Sequence, residues 1–125
     1  MSGKRYLLDT NAIVALLQGS PALVTLLQNA DWIGISIISQ IEFLAFSGLS
    51  ESDINLFTEF LNRVEVIDLA ASNDLLIKRI INVRLQYRVK LPDAIIASTA
   101  LQVGASLVTG DRELNKVTSL TIVNW

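Results

Sequence analysis

The stretch RYLLDTNAIVALL, residues 5–17, sets two apolar runs on either side of an acid, a hydroxyl and an amide. Residues 5–9 read as a short strand, and 12–18 read as a helix that stops at Gln18-Gly19. Asp9, Thr10 and Asn11 suit the turn between them, because such side chains hydrogen-bond nearby backbone groups and favour helix starts. Taken alone, the stretch needs nothing more than turn chemistry. The question is whether the rest of the chain repeats this unit and gives the polar turn company.

It does repeat it. Ser20-Pro21 opens a second helix, with Ser at the cap and Pro in the first turn. IGISII, 33–38, is continuous and β-branched, so it reads as a buried strand, followed after Ser39 by a helical pattern to Gly48. A further helix runs from Ser50 to about Asn62, and VEVIDL, 64–69, is a strand. Residues 72–88 form a long helix with an apolar stripe at Leu76, Ile80, Val83 and Tyr87. Pro92 opens one more helix, which stops at Gly104, and 106–109 and 120–123 are the last strands. Strands that alternate with helices and are apolar on both faces predict an α/β sandwich with a mainly parallel sheet. No repeat, linker or low-complexity segment divides the chain, so one domain is expected over 1–125.

Composition narrows the chemistry. The chain has 125 residues, is 51% hydrophobic and carries a net charge of −2. Its mean hydropathy is +0.48. Two causes fit that value: a sheet buried on both faces, or apolar surface kept for a partner. The longest apolar stretch, 32–46, is broken by Gln40 and Glu42, and Asp9 interrupts any signal-like core. No membrane role and a cytoplasmic location are therefore expected. With no Cys and no His, disulfides and His-based catalysis are excluded, and a zinc site would lack its usual ligands. Catalysis must run on carboxylates, hydroxyls, Lys, Arg or a hard metal ion.

Of twelve acids, most have a plain explanation. Glu51 and Asp53 suit the first turn of a helix, and Asp31, Glu59, Glu65 and Asp74 read as solvated surface. Four others follow a pattern. Asp9 follows the first strand, Glu42 lies in the helix after the second, Asp93 opens the helix leading into 106–109, and Asp111 follows that strand. All four fall at the edge where parallel strands end, which is where open α/β folds bind ligands. Each also has a local explanation. Asp93 suits the dipole at a helix start, Asp111 lies in a Thr-Gly-Asp turn, and Ser39-Gln40-Ile41-Glu42 has the spacing of a capping box. Together they repel, by roughly 1 kcal/mol per pair at about 4 Å in water and by more in a protein. An all-oxygen set of this kind suits Mg²⁺ or Mn²⁺, which activate water and stabilise charge on a phosphoryl group.

LLDTNAIVALL, SQIEF, KLPDAIIASTAL and LVTGD, in that order, resemble the motifs of PIN-domain nucleases, most closely the VapC-type toxins of toxin–antitoxin pairs. The resemblance spans residues 7–125. It implies a five-stranded parallel α/β/α fold and Mg²⁺-dependent cleavage of RNA. It also implies metal-site roles for Asp9, Glu42, Asp93 and Asp111, with polar support from Thr10, Asn11, Ser39 and Thr109. A homodimer is implied, and a cognate antitoxin that covers an apolar groove and reaches toward the acids. The chain departs from the family at Gly110, where a larger polar or basic residue is frequent. It also has Glu113-Leu114 where a second Asp and Phe are frequent, so Glu113 stands as a more distant fifth acid.

Five of the ten basic residues, Lys78, Arg79, Arg84, Arg88 and Lys90, fall in 78–90, a stretch without acids. They read either as a solvated helix face or as a phosphate-binding flank in which Arg84, Arg88 and Lys90 contact RNA. Three rival readings share the α/β frame. A receiver-like domain would use Asp68 as its phosphorylated residue. A haloacid-dehalogenase-like phosphatase would need an acid at Asn11. A binding module would keep the PIN fold without catalysis.

Overall fold

The computed structural model describes residues 4–125. Five strands, β1 (Arg5–Leu8), β2 (Trp32–Ser36), β3 (Glu65–Ile67), β4 (Ser106–Val108) and β5 (Ile122–Val123), form one sheet in the order β3-β2-β1-β4-β5. Every neighbouring pair is parallel. The helices are α1 (Thr10–Leu17), α2 (Pro21–Gln28), α3 (Ile37–Leu44), α4 (Glu51–Leu61), α5 (Asp74–Tyr87) and α6 (Leu91–Val103), with a 3₁₀ turn at Arg112–Lys116.

The three layers follow from the two-residue period of a strand, which sends successive side chains to opposite faces. Leu7 and Leu107 enter one core with Leu76, Ile80 and Val83 of α5 and Ala94, Ile96 and Ala97 of α6. Their neighbours Leu8 and Val108 enter a second core with Ile13 of α1, Leu23 of α2, and Phe57 and Phe60 of α4. Helix α3 serves both layers, packing Ile38 on the first core and Phe43 in the second. The sheet is thus apolar on both sides, which accounts for the hydropathy in part. The stripe expected on 72–88 is the buried face of α5, with Tyr87 only half-buried. Helix α6 ends as expected at Gly104, whose φ of 66° is left-handed and suits a residue without Cβ.

The strands expected over 64–69 and 120–123 are shorter, Glu65–Ile67 and Ile122–Val123, and two further boundary differences bear on the acids. The strand expected over 33–38 ends at Ser36, and Ile37 and Ile38 are the first turn of α3. Ser36 is the cap, its hydroxyl accepting from the Ile38 N–H, so Ser39 lies inside the helix and makes no capping box with Glu42. The β-branched pair has strand propensity, but β2 pairs with β3 only through Ser36, opposite Ile67, and packing decides the rest. A reciprocal capping box exists one helix later, between Ser50 and Asp53. The first helix begins at Thr10 rather than at residue 12, with Asp9 as its cap. Among the described residues no single helix is long and apolar enough to cross a membrane.

Candidate active site

Parallel pairing brings the ends of β1, β2 and β4 to one edge, and the acids arrive there by different routes. Asp9 leaves β1 and is buried. Its Oδ1 accepts from the Ala12 N–H at 2.7 Å, and its Oδ2 accepts from the Thr109 hydroxyl. It is therefore both a helix cap and a site residue, and the turn reading of residues 9–11 is true without being sufficient. Glu42 sits on α3, half-buried, and its Oε1 accepts from the Thr10 hydroxyl at 2.6 Å. Asp93 lies in the first turn of α6, where Lys90 is the cap residue but makes no side-chain cap bond. Asp111 follows β4; its N–H donates to Thr109 Oγ1 at 2.9 Å, and its Oδ1 accepts from the Glu113 N–H at 2.9 Å.

All four acids, with Thr10, Asn11 and Phe46, line one cleft of about 150 Å³. Among the described residues no Lys or Arg lines it. Burial pushes the Asp9 carboxyl above the ordinary carboxylate range. The bonds from Thr109 and Ala12 oppose this, and the charges of Asp111 and Glu42 add to it. Burial likewise raises Asp93, reinforced by the charges of Asp111, Glu42 and Asp9 and opposed by Lys90. The cleft thus concentrates negative charge at a cost that a cation offsets. The donors are all oxygen, which fits a hard divalent ion. Among the described residues no three carboxylates are gathered into a ready-made cage. Asp9, Glu42, Asp93 and Asp111 are the residues that would hold such an ion, and it would supply Lewis-acid chemistry there.

The supporting residues divide. Thr10 and Thr109 each donate a hydrogen bond to a carboxylate, of Glu42 and Asp9 respectively. Asn11 is exposed in the cleft and makes no side-chain hydrogen bond among the described residues. Ser39 is fully buried in α3, its hydroxyl has no partner among the described residues, and it does not line the cleft. Glu113 is also outside the cleft, paired with Lys116 at 2.5 Å. Asp68, the residue a receiver-like domain would use, is exposed after the edge strand β3 and does not line the cleft. Of the basic flank, Lys90 is near enough to act on Asp93. Arg84 donates to the Val89 carbonyl at 2.9 Å and ties down the end of α5, where Arg88 takes a left-handed φ of 56°.

Sequence reasoning missed a clamp on the fourth acid. Asn124 Nδ2 donates to the Thr109 carbonyl at 2.6 Å, and a Cβ at Gly110 would meet the Trp125 ring at 3.3 Å. The indole thus crowds position 110, and a side chain there would need the ring to shift by a few tenths of an ångström. Nothing in the linear sequence marks this, because only the pairing of Val108 with Val123 sets residues 124 and 125 beside 109–111.

A family model described as "PIN domain" matches residues 6–120. No curated protein matches the chain. Among solved structures, the chain is similar to one in VapBC2 from Rickettsia felis bound to a DNA fragment from their promoter. The two are 26% identical with a TM-score of 0.81, over 97% of this chain and 98% of that one. It is similar also to VapBC-1 from nontypeable Haemophilus influenzae, at 27% identity and TM-score 0.75 over 97% and 98%. PAE2754 from Pyrobaculum aerophilum, 21% identical, TM-score 0.68, over 96% of this chain and 84% of that one, shares the fold.

Proposed function

The chain belongs to the PIN-domain family, and from that premise we propose that it is a Mg²⁺-dependent endoribonuclease. In this reading it is the VapC-type toxin of a toxin–antitoxin pair and acts in the cytoplasm. The supporting observation is the cleft itself: four carboxylates from four points of the chain, with no basic side chain among the lining residues. Asp9, Glu42, Asp93 and Asp111 are the residues that would hold the ion, and Mn²⁺ is an expected substitute. When bound, the ion lowers the pKa of water and stabilises charge at the phosphoryl group.

The chain's own residues prepare that site. Thr109 and the Ala12 N–H fix both oxygens of Asp9, and Thr10 fixes one of Glu42, so carboxylates that repel one another are held by hydrogen bonds. Lys90 moderates the charge near Asp93. Arg88, Lys90 and the exposed remainder of Arg84 are assigned to RNA phosphates.

The partner proposed is an antitoxin segment. An apolar groove of about 290 Å³ runs between α1, α3 and α4, lined by Val14, Leu17, Phe43, Phe46 and Leu56 among others. Phe46 lines both groove and acid cleft, so a segment seated in the groove reaches the acids. The similar Rickettsia and Haemophilus structures are of VapBC assemblies, which supports a partner of this kind. A homodimer is part of the same reading, to be measured by sedimentation. The deciding experiment is cleavage of single-stranded RNA by antitoxin-free protein in Mg²⁺. Activity abolished by EDTA and by Asp93→Asn is the expected result; cleavage that survives both contradicts the reading.

A further inference from the structure

The acid cleft has one apolar side chain with surface to offer. Ile96 lines it but is buried, whereas Phe46, in the turn after α3, is 43% exposed. Its ring is braced from behind. Phe43 lies 6.0 Å away, tilted by 53°, and is itself stacked on Phe57 at 4.1 Å. An exposed ring on a fixed aromatic support, beside four carboxylates, calls for a ligand with both a flat apolar face and a polar body.

We propose that Phe46 is a stacking platform for one unpaired nucleobase of the RNA, adjoining the scissile phosphate. This rests on the ribonuclease reading above. The lining carboxylates repel phosphate, and among the described residues no cationic side chain lines the cleft. The attraction these lining side chains offer a nucleotide directly must then be largely uncharged, and every base has a π-face. Asn11, exposed in the same cleft, offers an amide donor and acceptor to a base edge. A base inside a duplex has both faces covered, so the platform selects single-stranded or looped RNA.

The test measures binding apart from cleavage. Asp93→Asn protein, which should not cut, is titrated by fluorescence anisotropy with a short single-stranded RNA and with a duplex of the same sequence. Stacking is worth about 1–3 kcal/mol per base, so adding Phe46→Leu should raise the single-strand Kd by about five-fold or more, with Phe46→Tyr restoring most of the affinity. Neither change should alter duplex binding. Phe46→Trp supplies an independent reading: its added emission should be quenched by the single strand. Single-strand affinity unchanged in Phe46→Leu, or unquenched Phe46→Trp emission with RNA bound, overturns the proposal. So does a loss confined to partner binding in the apolar groove. If wild-type protein cleaves RNA while Phe46→Leu binds like its parent, stacking alone fails. If wild-type protein does not cleave, the ribonuclease reading fails first.

Discussion

At Asp93 the sign of one pKa shift has a measurable consequence. Burial and the neighbouring acids raise its carboxyl above the ordinary range. A raised carboxyl lends stability when protonated and loses it as pH climbs through the folded value. Without divalent ions, Asp93→Asn should therefore melt a few degrees above wild type near neutral pH. That gap should close on acidification, and Mg²⁺ should stabilise only the wild type. Thermal unfolding in EDTA and in Mg²⁺ at two pH values checks this; a gap that widens in acid contradicts it. Ser39 and Glu42 give a second, paired test. Sequence spacing casts them as a capping box, under which Ser39→Ala would cost about 1 kcal/mol. The hydroxyl is instead buried without a partner, so Ser39→Ala should be neutral or stabilising by up to about 1 kcal/mol. Glu42→Gln can still accept from Thr10, so it should keep the fold while losing Mg²⁺ affinity and most cleavage. The acids themselves were legible, because residue type and place after each strand are linear facts. Which hydroxyl serves which acid was not, because Thr10 reaches Glu42 across 32 positions and Thr109 reaches Asp9 across 100.

At the scale of elements, α5 and its exit carry two demands at once. Arg88 ends the helix in a left-handed conformation that costs an L-residue about 1–2 kcal/mol, and a glycine at this place is the usual solution. If Arg88 is kept for phosphate contact, Arg88→Gly should raise the melting temperature while weakening RNA binding. The slope of log affinity against log salt should fall by up to about 1. Thermal unfolding and binding at several salt concentrations decide it; unchanged affinity and slope return Arg88 to an ordinary solvated charge. Arg84→Ala is expected to differ in kind, because it also removes a bond to the Val89 carbonyl. Elements defined by periodicity were readable: the stripe of α5 and the alternating strands follow from spacing alone. The start of α3 was not, since IGISII is equally consistent with a longer strand, and the register of β2 against β3 breaks it at Ser36.

For the molecule as a whole, burial on both faces of the sheet explains only part of the high hydropathy. Large apolar side chains also stand exposed on α3, α4 and α5, among them Ile41, Leu44, Leu56 and Leu85. Of these, Leu56 borders the groove between α1, α3 and α4 that is assigned above to the antitoxin, together with Phe46. Leu56 separates the two functions, because it lines the groove but not the acid cleft and is 44% exposed on α4. A charge placed there leaves the carboxylates and their hydrogen bonds in place, yet an apolar segment entering the groove would have to desolvate it. Burying an unpaired charge is costly enough to weaken such a contact by well over ten-fold. Leu56→Glu protein should therefore escape its antitoxin, failing to copurify with the product of the neighbouring gene and cutting RNA in its presence. Pull-down after coexpression, together with cleavage assayed with and without the antitoxin, checks this. Full suppression of Leu56→Glu by the antitoxin would move the partner to another face, and α5, with Ile81 and Leu85 turned outward, would be the next surface to test.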